Sequence, residues 1–107
     1  VVTASLSFSR ATREQFPSLQ PPDSAAYLAN IAVDPSQRRR GHARRMLAAA
    51  EALAAARGCP ELCLHVRLGD EAPRMLYDSC AYQATQQDSP LARLRGITPR
   101  ALMHKQL

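Results

Sequence analysis

Between residues 26 and 68 the spacing of apolar side chains changes twice, and that change dictates the kind of core this chain builds. Ala26-Tyr27-Leu28-Ala29-Asn30-Ile31-Ala32-Val33 is a short apolar stretch that fits a buried strand, and Asp34-Pro35 stops it. Ala43, Met46, Leu47, Ala50, Leu53 and Ala54 then recur at helical steps, with Gly58 and Pro60 where a helix stop belongs. Leu62, Leu64, Val66 and Leu68 next alternate with Cys63, His65 and Arg67, the two-residue period of a strand with one face on a core. A strand-helix-strand unit follows, so the expected class is α/β (α+β). With 107 residues the chain forms one domain, residues 1–107, burying roughly 60–68% of its unfolded surface.

The flanks are less regular. Val1 to Phe8 alternates like a strand ending near Ser9, and the stretch from Arg10 to Ser24, broken by Pro17, Pro21 and Pro22, reads as a loop. A second helix is expected near 70–80: Asp70 caps it through its carboxylate, Glu71 suits the positive end, and Pro73 still falls in the first turn. Leu76 and Cys80 lie four apart on it. Tyr82 to Thr85 starts another strand, a polar connection follows, and Arg100 to Lys105 alternates weakly enough to be a final edge strand. A composition of 46% hydrophobic and 21% charged residues excludes disorder, and no apolar run is long enough to span a bilayer. A soluble domain with no membrane partner is therefore expected. The chain opens at Val1 rather than Met, with no signal or transit pattern, which implies loss of its natural N-terminus. Cys59, Cys63 and Cys80 are an odd number, so reduced thiols are expected rather than a disulfide framework.

The net charge of +5 comes from 14 basic and 9 acidic residues, and nearly every basic one is arginine. Arg38, Arg39, Arg40, Arg44 and Arg45 surround Gly41 at the start of the first helix, whose dipole is already positive there. Each misplaced cation costs ~0.3–1 kcal/mol unless solvent screens it or an anion offsets it. Free backbone N–H groups, a glycine and flanking guanidinium groups make a phosphate seat, and a solvated basic face is the alternative. A nucleic-acid-binding module is the rival class, although aromatic residues at 5% and the lack of an RNA-recognition signature count against it. A metal site from Cys59, Cys63, His65 or Cys80 is a third reading, without a paired C-x-x-C to support it. No Walker loop or dinucleotide-binding glycine triplet is present.

Arg38-Arg39-Arg40-Gly41-His42-Ala43 matches [QR]-x-x-G-x-[GA] between a predicted strand and a predicted helix. This resembles the acetyl-CoA pyrophosphate loop of the GNAT-type N-acetyltransferase superfamily. Ala29 to Pro35 looks like the strand and turn before that loop, and Asp70 to Tyr82 is similar to the family's N-x-x-A-x-x-L-Y-x-x-x-G-F helix. Asp70, Pro73 and Ala81 replace its usual Asn, Ala and Gly. The tail from Leu94 to Met103 looks like the plastid-type acetyltransferases of plants and algae. The resemblance implies a GNAT fold: a mixed, mainly antiparallel sheet whose two central strands splay, flanked by helices near 41–57 and 70–80. The family's N-terminal strand and two helices have no counterpart before Val1.

The resemblance also implies acetyl transfer from acetyl-CoA to a primary amine, more a protein α-amino or lysine ε-amino group than a small amine. No metal is implied, and a chloroplast setting is. An amine with a pKa of ~8 to ~10.4 must lose a proton before attack, the tetrahedral oxyanion needs a donor, and the CoA thiolate needs a proton. In the family's terms the backbone of Ile31, Ala32 and Val33 serves the oxyanion and cofactor. Arg38, Arg39, Arg40, Gly41, His42 and Ala43 cradle the pyrophosphate, Arg44 reaches a phosphate of the adenosine end, and Asp70 lies at the cofactor. Tyr77 occupies the place of the family's proton-donating tyrosine. Leu64-His65-Val66 is similar to a segment in protein N-terminal acetyltransferases where the histidine deprotonates the amine through water, and the tyrosine accompanying it there corresponds to Gln37.

Overall fold

In a computed structural model the structure describes residues 2–8, 19–33 and 41–107, with residues 2, 3 and 30–33 described by their backbone. The order is β1 (Val2–Ser7), β2 (Ala26–Val33), α1 (His42–Ala56), β3 (Glu61–Arg67), α2 (Glu71–Ser79), β4 (Gln83–Gln87), a 3-10 turn (Pro90–Arg95) and β5 (Arg100–Gln106). The strands form one sheet in the order β1-β2-β3-β5-β4. Only β2 and β3 run parallel; β1 with β2, β3 with β5 and β4 with β5 are antiparallel. The mixed, mainly antiparallel sheet and both helices agree with the expectation. The loop expected over residues 10–24 falls largely outside the described residues.

Strand alternation sorts the core onto two faces. Ala26, Leu28, Leu62, Leu64, Val66, Ala101 and Met103 pack with Leu47, Ala50 and Ala54 of α1, Tyr77 of α2, and Tyr82. On the opposite face Ala25, Tyr27, Cys63 and Leu102 form a second buried cluster with Leu19 and Ala29 against it. The odd-numbered side chains of β3, from Cys63 to Arg67, therefore share the face away from the helices.

Two helix ends follow one rule. At the end of α1, the Gly58 N–H donates to Ala55 O and the Cys59 N–H to Ala54 O, both at 3.0 Å, around a left-handed Gly58. The end of α2 repeats it: the Ala81 N–H donates to Asp78 O at 3.2 Å and the Tyr82 N–H to Tyr77 O at 3.0 Å, with Ala81 at φ 72°. Asp70 is the N-cap of α2 as expected, yet its carboxylate makes no capping bond.

One placement is corrected. β5 lies inside the sheet between β3 and β4, not at its edge. Ala101, Leu102 and Met103 are buried in succession because both faces of β5 are covered, which blurs the alternation that would mark a half-exposed strand. The edge on that side is β4, exposed along its whole length and bulged between Ala84 and Gln86.

Candidate active site

β2 and β3 pair through Ala26↔Leu62, Tyr27↔Cys63 and Leu28↔Leu64, and there the ladder stops. Each strand runs on, β2 to Val33 and β3 to Arg67, while β1 continues to hold the far side of β2 as far as Val33. The two strands therefore part in mid-sheet, at their carboxyl ends. Residues 29–33 present a strand edge without a partner strand on the β3 side among the described residues, and Ile31, Ala32 and Val33 lie on it. Such an edge accepts a ligand carrying peptide-like amides, as an added strand would. The parting is bordered by Leu28, Leu64 and Val66 on the helix-bearing face and by Tyr27 and His65 on the other.

α1 begins at this carboxyl end. Its N-cap, Gly41, is left-handed at φ 75°, and no side chain caps it. The first helical bond is Arg45 N–H to Gly41 O at 3.1 Å, so the N–H groups of Ala43 and Arg44 make no bond within the helix. These donors and the helix dipole favour an anion, and no acidic residue in the first turn competes with it. Arg38, Arg39, Arg40 and Gln37 lie outside the described residues. His42 accepts at Nδ1 from Arg45 Nη2 at 3.0 Å. Arg44 is engaged by α2: Nη2 donates to Ser79 Oγ at 2.7 Å and Nη1 lies 3.7 Å from Cys80 Sγ. It thus clamps the two helices together, a role its sequence position did not announce.

Tyr77 projects from α2 into the helix-face core, 5% exposed, with its ring edge-on to Tyr82 at 6.0 Å between centroids. Burial raises its pKa above the ordinary 10.0, so the hydroxyl keeps its proton through the neutral range. His65 is on the opposite face. Its Nε2 lies 2.9 Å from Leu19 O, which only accepts, so Nε2 carries the proton; Nδ1 is then the acceptor for the Tyr27 hydroxyl. Tyr27 also meets the imidazole edge-on, at 5.3 Å. A tyrosine of β2 is thus set against the histidine. Nothing marked Tyr27 in the sequence: it reads as one more apolar strand residue, and its partner is 38 positions away.

The three cysteines are free and dispersed, Cys63 on the second face, Cys59 and Cys80 beside the helix-face core. Among the described residues no group of three or more His, Cys, Asp or Glu side chains could hold a metal ion.

The fold recurs in known proteins. A Bacillus subtilis acetyltransferase solved in complex with CoA superposes with a TM-score of 0.70 at 17% identity, covering 83% of this chain and 65% of that one. A Bacillus anthracis chain solved in complex with acetyl coenzyme A gives 0.71 at 20% identity, over 78% of this chain and 50% of that one. The ribosomal-protein-S18-alanine N-acetyltransferase of Escherichia coli gives 0.63 at 27%, over 78% and 54%. In sequence the chain is 34% identical over 92 residues to the Arabidopsis thaliana protein GCN5-related N-acetyltransferase 5, chloroplastic, matching 85% of this chain and 29% of that protein. Residues 8–82 match the acetyltransferase (GNAT) family, and with its fold and parted strands the chain belongs to that family.

Proposed function

We propose that this chain carries the acetyl-CoA half of an N-acetyltransferase that moves the acetyl group to a protein amine, an α-amino or a lysine ε-amino group. The observation that carries the reading is the parting of β2 and β3 beside the uncapped start of α1. The pantetheine arm of acetyl-CoA has amides to pair with residues 29–33, and its pyrophosphate suits the N–H groups of His42, Ala43 and Arg44 with Arg38, Arg39 and Arg40 nearby in sequence. Bound acetyl-CoA supplies the activated thioester.

A parting in a sheet is open from both faces, which separates the two proton tasks. On one face the incoming amine gives its proton to the Tyr27 oxygen while the Tyr27 hydroxyl proton passes to His65 Nδ1. The resulting imidazolium keeps its Nε2–H on the Leu19 carbonyl. The freed nitrogen attacks the thioester carbonyl, whose oxygen accepts a hydrogen bond from a backbone N–H of Ile31 to Val33, and the C–S bond breaks as the nitrogen gives up its second proton to solvent. On the other face Tyr77 donates its O–H to the departing thiolate. Burial raises the Tyr77 pKa, which suits a hydrogen-bond donor more than a strong acid, so the final proton comes from solvent. Asp70, at the start of α2, stands at the same end of the sheet. Similarity to the chloroplastic Arabidopsis protein supports a plastid setting.

Titration calorimetry of acetyl-CoA into this chain tests the reading. Saturable binding is expected, abolished by the double change Arg40→Ala with Gly41→Asp, which puts an acidic group at the phosphate seat. Tyr77→Phe is expected to bind acetyl-CoA normally and lower kcat by about 10- to 100-fold. Absence of acetyl-CoA binding together with salt-sensitive binding to duplex DNA would overturn it.

A further inference from the structure

In the β3–β5 ladder Arg67 stands directly opposite Arg100. Like charges in directly opposed positions repel across a sheet, and a protein without use for them gains by changing one. The Arg67 side chain is exposed and makes no hydrogen bond or ion pair among the described residues, while the Arg67 carbonyl accepts from the Asp70 N–H at 3.1 Å. Arg100 donates through Nη1 to Thr98 O at 3.3 Å, while the nearby Asp88 carboxylate takes the Arg100 backbone N–H at 3.1 Å. The connection ending at Arg100 adds Arg93, which with Gly96, Ile97, Thr98 and Pro99 lines an open cleft of about 340 Å³. All of this lies at the carboxyl end of β3, where β2 and β3 part.

Arg67 also shares the sheet face of His65, two residues along the same strand, roughly 7 Å further toward the open end. An amine delivered to Tyr27 and His65 therefore has the next part of its molecule beside Arg67. The side chain of an adjoining peptide residue spans that step. We infer that Arg67, backed by Arg100, reads a carboxylate on the residue next to the acceptor amine, so that the preferred acceptors are acidic peptides. The inference rests on the acetyl-transfer reading above and specifies its substrate class.

The test uses this chain, acetyl-CoA and two sets of synthetic peptides, one with an α-amino alanine as acceptor and one with an internal lysine in an N-blocked peptide. Within each set the neighbouring residue is Asp, Asn or Arg. Acetylation at the acceptor is expected to show a kcat/KM about fivefold higher for Asp than for Asn in at least one set, with Arg lower still. Arg67→Gln removes the preference, Arg67→Glu inverts it toward the Arg peptide, and Arg67→Lys retains most of it, with melting temperatures unchanged or raised. Acetylation with equal rates across each set, or a preference that survives Arg67→Glu, overturns the role of Arg67 and leaves acetyl transfer standing. Acetyl-CoA binding without acetylation of any peptide overturns the acceptor class, and failure to bind acetyl-CoA removes the underlying reading as well.

Discussion

At Ala81 the backbone holds φ 72°, a conformation in which a Cβ crowds the neighbouring carbonyl. The same helix-ending motif carries glycine at position 58, at φ 78°. The two sites form a natural comparison, since both close a helix with the same pair of backbone bonds. Ala81→Gly is expected to stabilise the fold by about 1 kcal/mol, raising Tm by roughly 4 °C or more, and Gly58→Ala to lower it comparably. Thermal unfolding followed by circular dichroism decides both. Ala81 was visible in the sequence as a departure from the family pattern, whereas its cost needed the backbone angle. Tyr27 is the opposite case, with an identity plain in the sequence and a task that emerges only when β2 pairs with β3 and sets it against His65.

The joint between α1 and the far side of the sheet runs through Glu51. Its carboxylate accepts from Tyr82 Oη at 3.0 Å and from Lys105 Nζ at 2.9 Å, and that ammonium lies 5.8 Å from the Tyr82 ring centre. Burial above all, then the charge and hydrogen bond of Glu51, raise the Tyr82 pKa well beyond the ordinary 10.0. Below pH ~10 the tyrosine is protonated in the folded and unfolded chains alike, and its contribution is complete. Above that pH the unfolded chain releases the proton and the folded chain keeps it, so stability falls by about 1.4 kcal/mol per pH unit for this group. Chemical denaturation between pH 8 and pH 11.5 is expected to show that loss, and Tyr82→Phe to flatten it by about the same slope. A slope unchanged by the substitution would mean that this hydroxyl ionises freely in the folded state.

Across the molecule, the edge of β2 that has no partner strand among the described residues is a weak line in the sheet. β3 and β5 are paired from Glu61↔Gln106 to Arg67↔Arg100, whereas the β2–β3 ladder ends at Leu28↔Leu64. Backbone amides of residues 29–33 that face β3 should therefore exchange hydrogen faster than those of β5. Saturating acetyl-CoA is expected to protect the former and leave the latter unchanged, which exchange measured by mass spectrometry resolves. Uniform protection of the sheet would indicate global stabilisation without occupation of the parting.

Element identities were largely written locally. The apolar run of β2, the helical stripe of α1 and the alternation of β3 each follow from side-chain period, because burial imposes that period on any strand or helix beside a core. The exception, β5, shows the limit: a strand covered on both faces loses its alternation, so its interior place could not be read from its own residues. The motif around Gly41 was likewise legible, since its glycine and arginines are chemistry carried by consecutive positions. Which residues face one another was not. The parting of β2 from β3, the Tyr27–His65 pair, the Arg44 clamp on α2 and the opposed Arg67 and Arg100 all join positions distant in the chain. Local patterns record how a segment meets a core, while the pairing of distant segments is settled by sheet register and helix packing, and the candidate site is built from those pairings.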